Sequence, residues 1–243
     1  MNEKVVYFAD FLLRIYGTEV FEVNEALRDI AISFASTASL NDTEASQAYR
    51  ALYDESPGYK AASEPPSVLA CDVTTSDVWF TGTRLSEAFE NTTSLLTNGS
   101  GVYCTTAQED NGTLEAILRA ANSNLTDISR AIVMRTASDF DRPPPGISEI
   151  QNLFYTDQGG FPPALKNIYL AGVKVVTGIL DGWSSTFEEG IPAPNYVGDI
   201  LATLGGAPDF GQPAAFITKR SMNDMNGFQG RLGMRRAAEN LRR

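Results

Sequence analysis

Two stretches of the chain carry residue types that could do chemistry on a sugar and its leaving group. They are Thr105-Thr106-Ala107-Gln108-Glu109-Asp110-Asn111 and Met134-Arg135-Thr136-Ala137-Ser138-Asp139-Phe140-Asp141-Arg142, about a helix apart in the sequence. Each sets carboxylates at the C-terminal end of a predicted strand, where open α/β sheets hold their ligands. Glu109 there could accept two hydroxyl hydrogen bonds, of the kind ribose O2′ and O3′ offer. The same residue also completes Thr106-x-x-Glu109, the pattern of a capping box, in which its carboxylate serves the helix backbone instead. Asp110 and Asn111 suit the first turn of a helix, where the dipole favours negative charge. Asp139 follows an apolar run and precedes a Pro-rich turn. An aspartic acid whose pKa is raised by burial can protonate N7 of a departing purine, with nearby anionic or hydroxyl groups stabilising the oxocarbenium character left on the sugar. The alternative is a turn residue paired with Arg135 or Arg142. Trp79 and Phe80 follow Asp77 at another strand end and could stack on a base or pack the core. Ser76 and Thr75 offer hydroxyls to a sugar or an anion, or simply make a turn.

Other chemistries are excluded by composition. The chain contains no histidine, which removes Ser-His-Asp and Cys-His catalysis and the common histidine metal sites. No metal and no cofactor is called for: there is no P-loop and no GxGxxG, and Gly159-Gly160 and Gly205-Gly206 lack the flanking pattern that cradles phosphate. Cys71 and Cys104 form no CxxC motif and sit in strand-like runs, so two buried free thiols are expected rather than a disulfide. A formal net charge of −11 over 243 residues argues against nucleic-acid binding by the body. Residues 214–243 sum to +5 and the remainder to −16, so a basic tail follows an acidic body.

The length and the 43% hydrophobic content suit one large domain. Asn24 is the expected N-cap of a helix with apolar residues at 27, 30, 31 and 34. A second helix starts near Asn41-Asp42 and stops at Ser56-Pro57-Gly58. Further helices are predicted over Thr83 to Leu96, Asp110 to Asn122 and Pro163 to Trp183, and a shorter one after Tyr196-Val197. Strands are predicted at Ser67–Val73, Gly101–Thr106 and Ala131–Thr136. The alternation implies an α/β fold with a largely parallel sheet, although three strands is few for this length. No apolar run reaches the roughly 18 residues a spanning helix needs, so the chain is not expected to form a channel by itself. Five N-x-S/T sequons, at Asn41, Asn91, Asn98, Asn111 and Asn124, exceed the roughly two expected by chance and hint at a secretory ancestry.

Gly17-Thr18-Glu19-Val20-Phe21-Glu22-Val23-Asn24, Leu95-Leu96-Thr97-Asn98-Gly99, Thr105–Asn111 and Met134–Arg142 together resemble the fungal purine nucleoside permease family over roughly residues 16–212. That family is similar in fold to the nucleoside phosphorylases and nucleosidases. The resemblance implies a three-layer sheet flanked by helices, incomplete at the N-terminus. It sets residues 17–212 as the domain, 1–16 as an unmatched segment and 213–243 as a basic tail outside the fold. It implies that Gln108-Glu109 corresponds to a Met-Glu pair that packs on and bonds ribose, with Gln108 in place of Met. It likens Ser138-Asp139 to a Ser-Asp pair whose aspartate engages purine N7. It aligns Ser76-Asp77-Val78-Trp79-Phe80 with a strand whose aromatic, here Trp79, stacks on the base. The implied partner is a purine nucleoside; a homo-oligomer is compatible with the sequence. The implied roles are nucleoside capture for uptake, N-ribosyl hydrolysis or phosphorolysis with Asp139 as acid, or an inactive fragment. The Gly-rich phosphate contacts of phosphorylases have no counterpart here. The family implies the secretory pathway or cell periphery, whereas the chain's own start, without a clear signal peptide, implies the cytoplasm.

Overall fold

The structure is a computed structural model that describes residues 20–75, 78–97 and 99–199. The basic tail and the helix expected beyond Tyr196-Val197 therefore lie largely outside the described residues. Among the described residues the strands are β1 (Phe21–Glu22), β2 (Asp72–Thr75), β3 (Tyr103–Ala107) and β4 (Gly198–Asp199). The α-helices are α1 (Glu25–Ala35), α2 (Glu44–Arg50), α3 (Lys60–Ser63), α4 (Thr83–Leu96), α5 (Asp110–Asn122), α6 (Glu149–Phe154) and α7 (Phe161–Asp181). Short 3-10 and π turns fill several of the gaps between them. The mixture agrees with an α/β protein, but the strands form two separate pairs.

β2 and β3 run parallel, with Val73 opposite Thr105 and Thr75 opposite Ala107. The crossover between them is α4, the connection that a parallel pair requires. β1 and β4 pair antiparallel, Phe21 opposite Asp199. Their junction is fastened by two asparagines. Asn24 is fully buried; its Oδ1 caps α1 by accepting from the Leu27 N–H, and its Nδ2 donates to the Ile191 carbonyl at 2.7 Å and the Ser129 carbonyl at 3.2 Å. Asn195 accepts from the Glu25 N–H at 2.9 Å and donates to the Val23 carbonyl at 2.9 Å. A capping asparagine was expected at position 24; its tie to the far end of the fold was not visible in local pattern.

The main core lies between α1 and α7. Ala31 and Ala35 meet Ala171 and Val175, and Phe34, Leu40, Val68, Ile132, Met134 and Ile179 close round them. Small residues at the contact let the two helix backbones approach. Ile132 and Met134 explain one departure from expectation. The run Ala131–Thr136, predicted as a strand, is extended chain without a ladder of its own, and its apolar side chains are spent on the helix pair. The strand predicted over Ser67–Val73 likewise begins only at Asp72, and Leu69 within that run is 70% exposed.

The cysteine expectation is overturned. Cys71 and Cys104 form a disulfide with Cα atoms 6.0 Å apart. Sequence spacing hid this, because the parallel register sets Asp72 opposite Tyr103 and so brings the two flanking cysteines together across the strands. With a sequence separation of 33, loop closure in the unfolded chain makes the crosslink worth about 3–4 kcal/mol. Converting both residues to serine is expected to lower the urea midpoint accordingly, with the slope of the transition raised as the unfolded chain expands.

Candidate functional site

The chain leaves β3 through Gln108 and Glu109 and enters α5 at once. Glu109 has φ 68°, one of two non-glycine residues at positive φ among the described residues. A glutamate in the left-handed region carries strain on the order of 1 kcal/mol. The capping box is not formed. α5 begins at Asp110, which makes Glu109 itself the N-cap residue, and its side chain makes no capping bond. The Glu109 carboxylate is exposed, and the helix backbone has no claim on it.

Asp110, one residue on, has another task. Its carboxylate takes a two-pronged ion pair from Arg135, with Nε 2.9 Å from Oδ2. This bond clamps the start of α5 to the Met134–Arg142 segment, so the two stretches singled out from sequence stand side by side. Arg135 is thereby engaged by Asp110 and Arg142 by Glu90, at 2.8 Å. Neither is the partner of Asp139.

The Asp139 loop is pinned residue by residue. The Ser138 carbonyl presses against Gly160, at the start of α7. The Phe140 N–H donates to Gln158 Oε1 at 2.7 Å, and its ring lies 4.8 Å from that of Tyr53. The Asp141 carbonyl accepts from the Gly82 N–H and from Thr81 Oγ1, both at 2.8 Å. The Asp141 carboxylate accepts from the Tyr103 hydroxyl of β3 at 2.5 Å. The Arg142 carbonyl accepts from the Tyr53 hydroxyl at 2.7 Å. Behind this, buried Asn152 accepts from the Tyr49 hydroxyl and donates to Thr81 Oγ1 at 2.8 Å. Asp139 is the exposed member of the loop, and its Oδ2 accepts from its neighbour Ser138 Oγ at 2.5 Å. A proton-donating role needs burial, and the described residues leave this carboxylate open to solvent.

Trp79 is 70% exposed, while the adjoining Phe80 is buried and stacks on Phe89 with ring centroids 4.5 Å apart. Core packing therefore accounts for Phe80 and not for Trp79. Gln108 is exposed beside Glu109. Ser76 and Asp77 lie outside the described residues. Two concavities open beside α2, one against Asp42 and Arg50 and one against Leu40 and Val68; Glu109, Asp139 and Trp79 line neither. The candidate site is an open edge of carboxylates. The sequence reading missed the buried amides of Asn152 and Gln158 and the Tyr103–Asp141 pair; the one available signal was the polar residue set among Ile150, Leu153 and Phe154.

The tyrosines beneath the site titrate abnormally. Burial pushes the Tyr53 hydroxyl far above its usual value, and burial followed by its bond to Asp141 does the same for Tyr103. Burial also raises Tyr49. A raised folded-state pKa stabilises the fold below the unfolded value near 10 and withdraws that stability as pH rises past it. Unfolding free energy should therefore fall between about pH 10 and 12, by about 1.4 kcal/mol per pH unit per buried phenol. Tyr53→Phe should flatten that slope in urea titrations run across the range.

The fold and this edge define a mixed α/β protein that presents carboxylates where a parallel βα unit ends. The family model described as purine nucleoside permease matches residues 8–192. Over 201 residues the chain is 49% identical to the purine nucleoside permease of Candida albicans, which covers 82% of this chain and 48% of that protein. Over 169 residues it is 38% identical to a probable purine nucleoside permease of Schizosaccharomyces pombe, covering 70% of this chain and 47% of the relative. The chain belongs to the purine nucleoside permease family, and it spans about half the length of the curated relatives it matches. No solved structure matches it. Among the described residues, no helix is long and apolar enough to cross a membrane.

Proposed function

We propose that this chain binds purine nucleosides along the edge formed by Glu109 and Asp139, as the ligand-capturing part of a protein engaged in nucleoside uptake. The observation that carries this reading is the left-handed backbone of Glu109. Strain at a strand end that frees a carboxylate from its helix is the pattern of a ligand-holding residue rather than a structural one. Glu109 accepts the ribose 2′ and 3′ hydroxyls, and exposed Gln108 lies along the sugar. Trp79 stacks on the base. Asp139, oriented by Ser138 Oγ, faces N7, and Ser76 offers its hydroxyl to the sugar. We take the surrounding domain, residues 17–212, to have a nucleoside phosphorylase-like build. The disulfide supports an oxidising compartment, hence the secretory pathway or cell periphery. Uptake then proceeds by capture and hand-over to a membrane partner.

The test is incubation of the purified chain with inosine, with and without phosphate, while free base is followed and binding is measured in parallel. Binding without base release supports capture. Base release abolished by Asp139→Asn would assign cleavage to the same edge instead. Absence of both binding and base release would overturn the proposal.

A further inference from the structure

We infer that the outer face of α7 is the docking surface for the half of the family's polypeptide that this chain does not match. α7 buries Ala164, Asn167, Ala171 and Val175. On its far side Phe161, Leu165, Tyr169, Val173, Val176 and Leu180 follow one another at intervals of three or four residues. Their exposures run from 39% to 69%. A helix of 21 residues is about 30 Å long, and this stripe follows nearly all of it. Its apolar area is on the order of 500 Å², the upper end of what a monomer leaves bare. A surface helix ordinarily turns a charged or polar face to water; this one confines its exposed polar residues to a strip of Lys166, Lys174, Thr177 and Asp181 beside the apolar stripe.

The lack of cover is not confined to α7. Leu69 is 70% exposed before β2, Val102 60% exposed before β3, and Phe154 70% exposed on α6. A second copy docked on one helix would shield one face, whereas uncovered residues on several elements call for a whole further layer of chain. The relatives have the length of chain that such a layer needs. The Candida albicans protein matches 82% of this chain with only 48% of its own length, so about half of that polypeptide lies outside the match. The side chains that meet α7 in the whole family member are therefore assigned to that other half.

The test is co-expression of the full chain with the unmatched half of the Candida albicans purine nucleoside permease, followed by size-exclusion purification. A one-to-one complex is expected. Leu165→Asp and Tyr169→Asp should each reduce its recovery at least tenfold while circular dichroism shows the helices intact. Leu125→Asp, at a residue 78% exposed on a different element, should leave recovery unchanged. Trp183, next along the stripe after Leu180, should shift its emission to the blue on complex formation when measured in a Trp79→Phe background. Three results would overturn the inference: no complex, a complex indifferent to Leu165→Asp, or self-association of the chain alone that Leu165→Asp abolishes, which would name a second copy as the occupant.

Discussion

Gly160→Ala is expected to destabilise the protein by about 3 kcal/mol and to weaken nucleoside binding with it. Gly160 has φ −86°, ordinary for any residue, so backbone freedom is not the reason. The reason is contact. A Cβ at this position would overlap the Ser138 carbonyl oxygen and stand 2.9 Å from the carbonyl carbon. These are backbone atoms that cannot rotate away, so either the start of α7 or the Ser138-Asp139 turn must move. Displacing that turn moves the Asp139 carboxylate away from the edge it shares with Glu109. Thermal or urea unfolding checks the first effect, and calorimetric titration with inosine checks the second. A loss of stability with affinity retained would mean that α7, not the turn, yields.

Asn152→Ala should cost a similar amount, about 3–5 kcal/mol, through a different cause. Asn152 is 4% exposed and satisfies the hydroxyls of Tyr49 and Thr81, each 7% exposed. Truncation removes the acceptor of the buried Tyr49 hydroxyl and one donor to Thr81 Oγ1, which keeps its own bond to the Asp141 carbonyl. The penalty for such an orphaned hydroxyl exceeds the net worth of the bond itself. Adding Tyr49→Phe removes the orphan, so the double variant should be more stable than the sum of the single changes predicts, by about 1–2 kcal/mol. Strict additivity in the urea midpoints would contradict the network.

These two sites show what could and could not be read from the chain. Helices α4 and α5 were legible to their ends, because apolar spacing and turn residues are local signals. Asn24 as a cap was legible for the same reason. What depends on register was not. Cys71 and Cys104 meet because two strands align across a helical crossover, and nothing within either run announces it. Ala131–Thr136 has the composition of a strand, yet Ile132 and Met134 pack on the α1–α7 core instead of extending a sheet. At the site, the two carboxylate stretches were legible as a pair, but the Asp110–Arg135 clamp was not. The pattern that best suited Glu109, a capping box, requires Thr106 to be the cap residue, whereas a helix that starts at Asp110 makes Glu109 itself the cap and leaves its side chain exposed. Buried polar residues such as Asn152 and Gln158 are the hardest to foresee, since their partners come from distant segments.

The central claim is that Glu109, freed from its helix by a left-handed backbone, holds the ribose of a purine nucleoside. Isothermal titration of inosine into the full chain and into Glu109→Ala tests it most directly. Two hydrogen bonds to a carboxylate, at about 1.5–3 kcal/mol for a charged bond, predict at least a tenfold loss of affinity, with unfolding stability unchanged or slightly raised. Equal affinity in the two proteins would contradict the account.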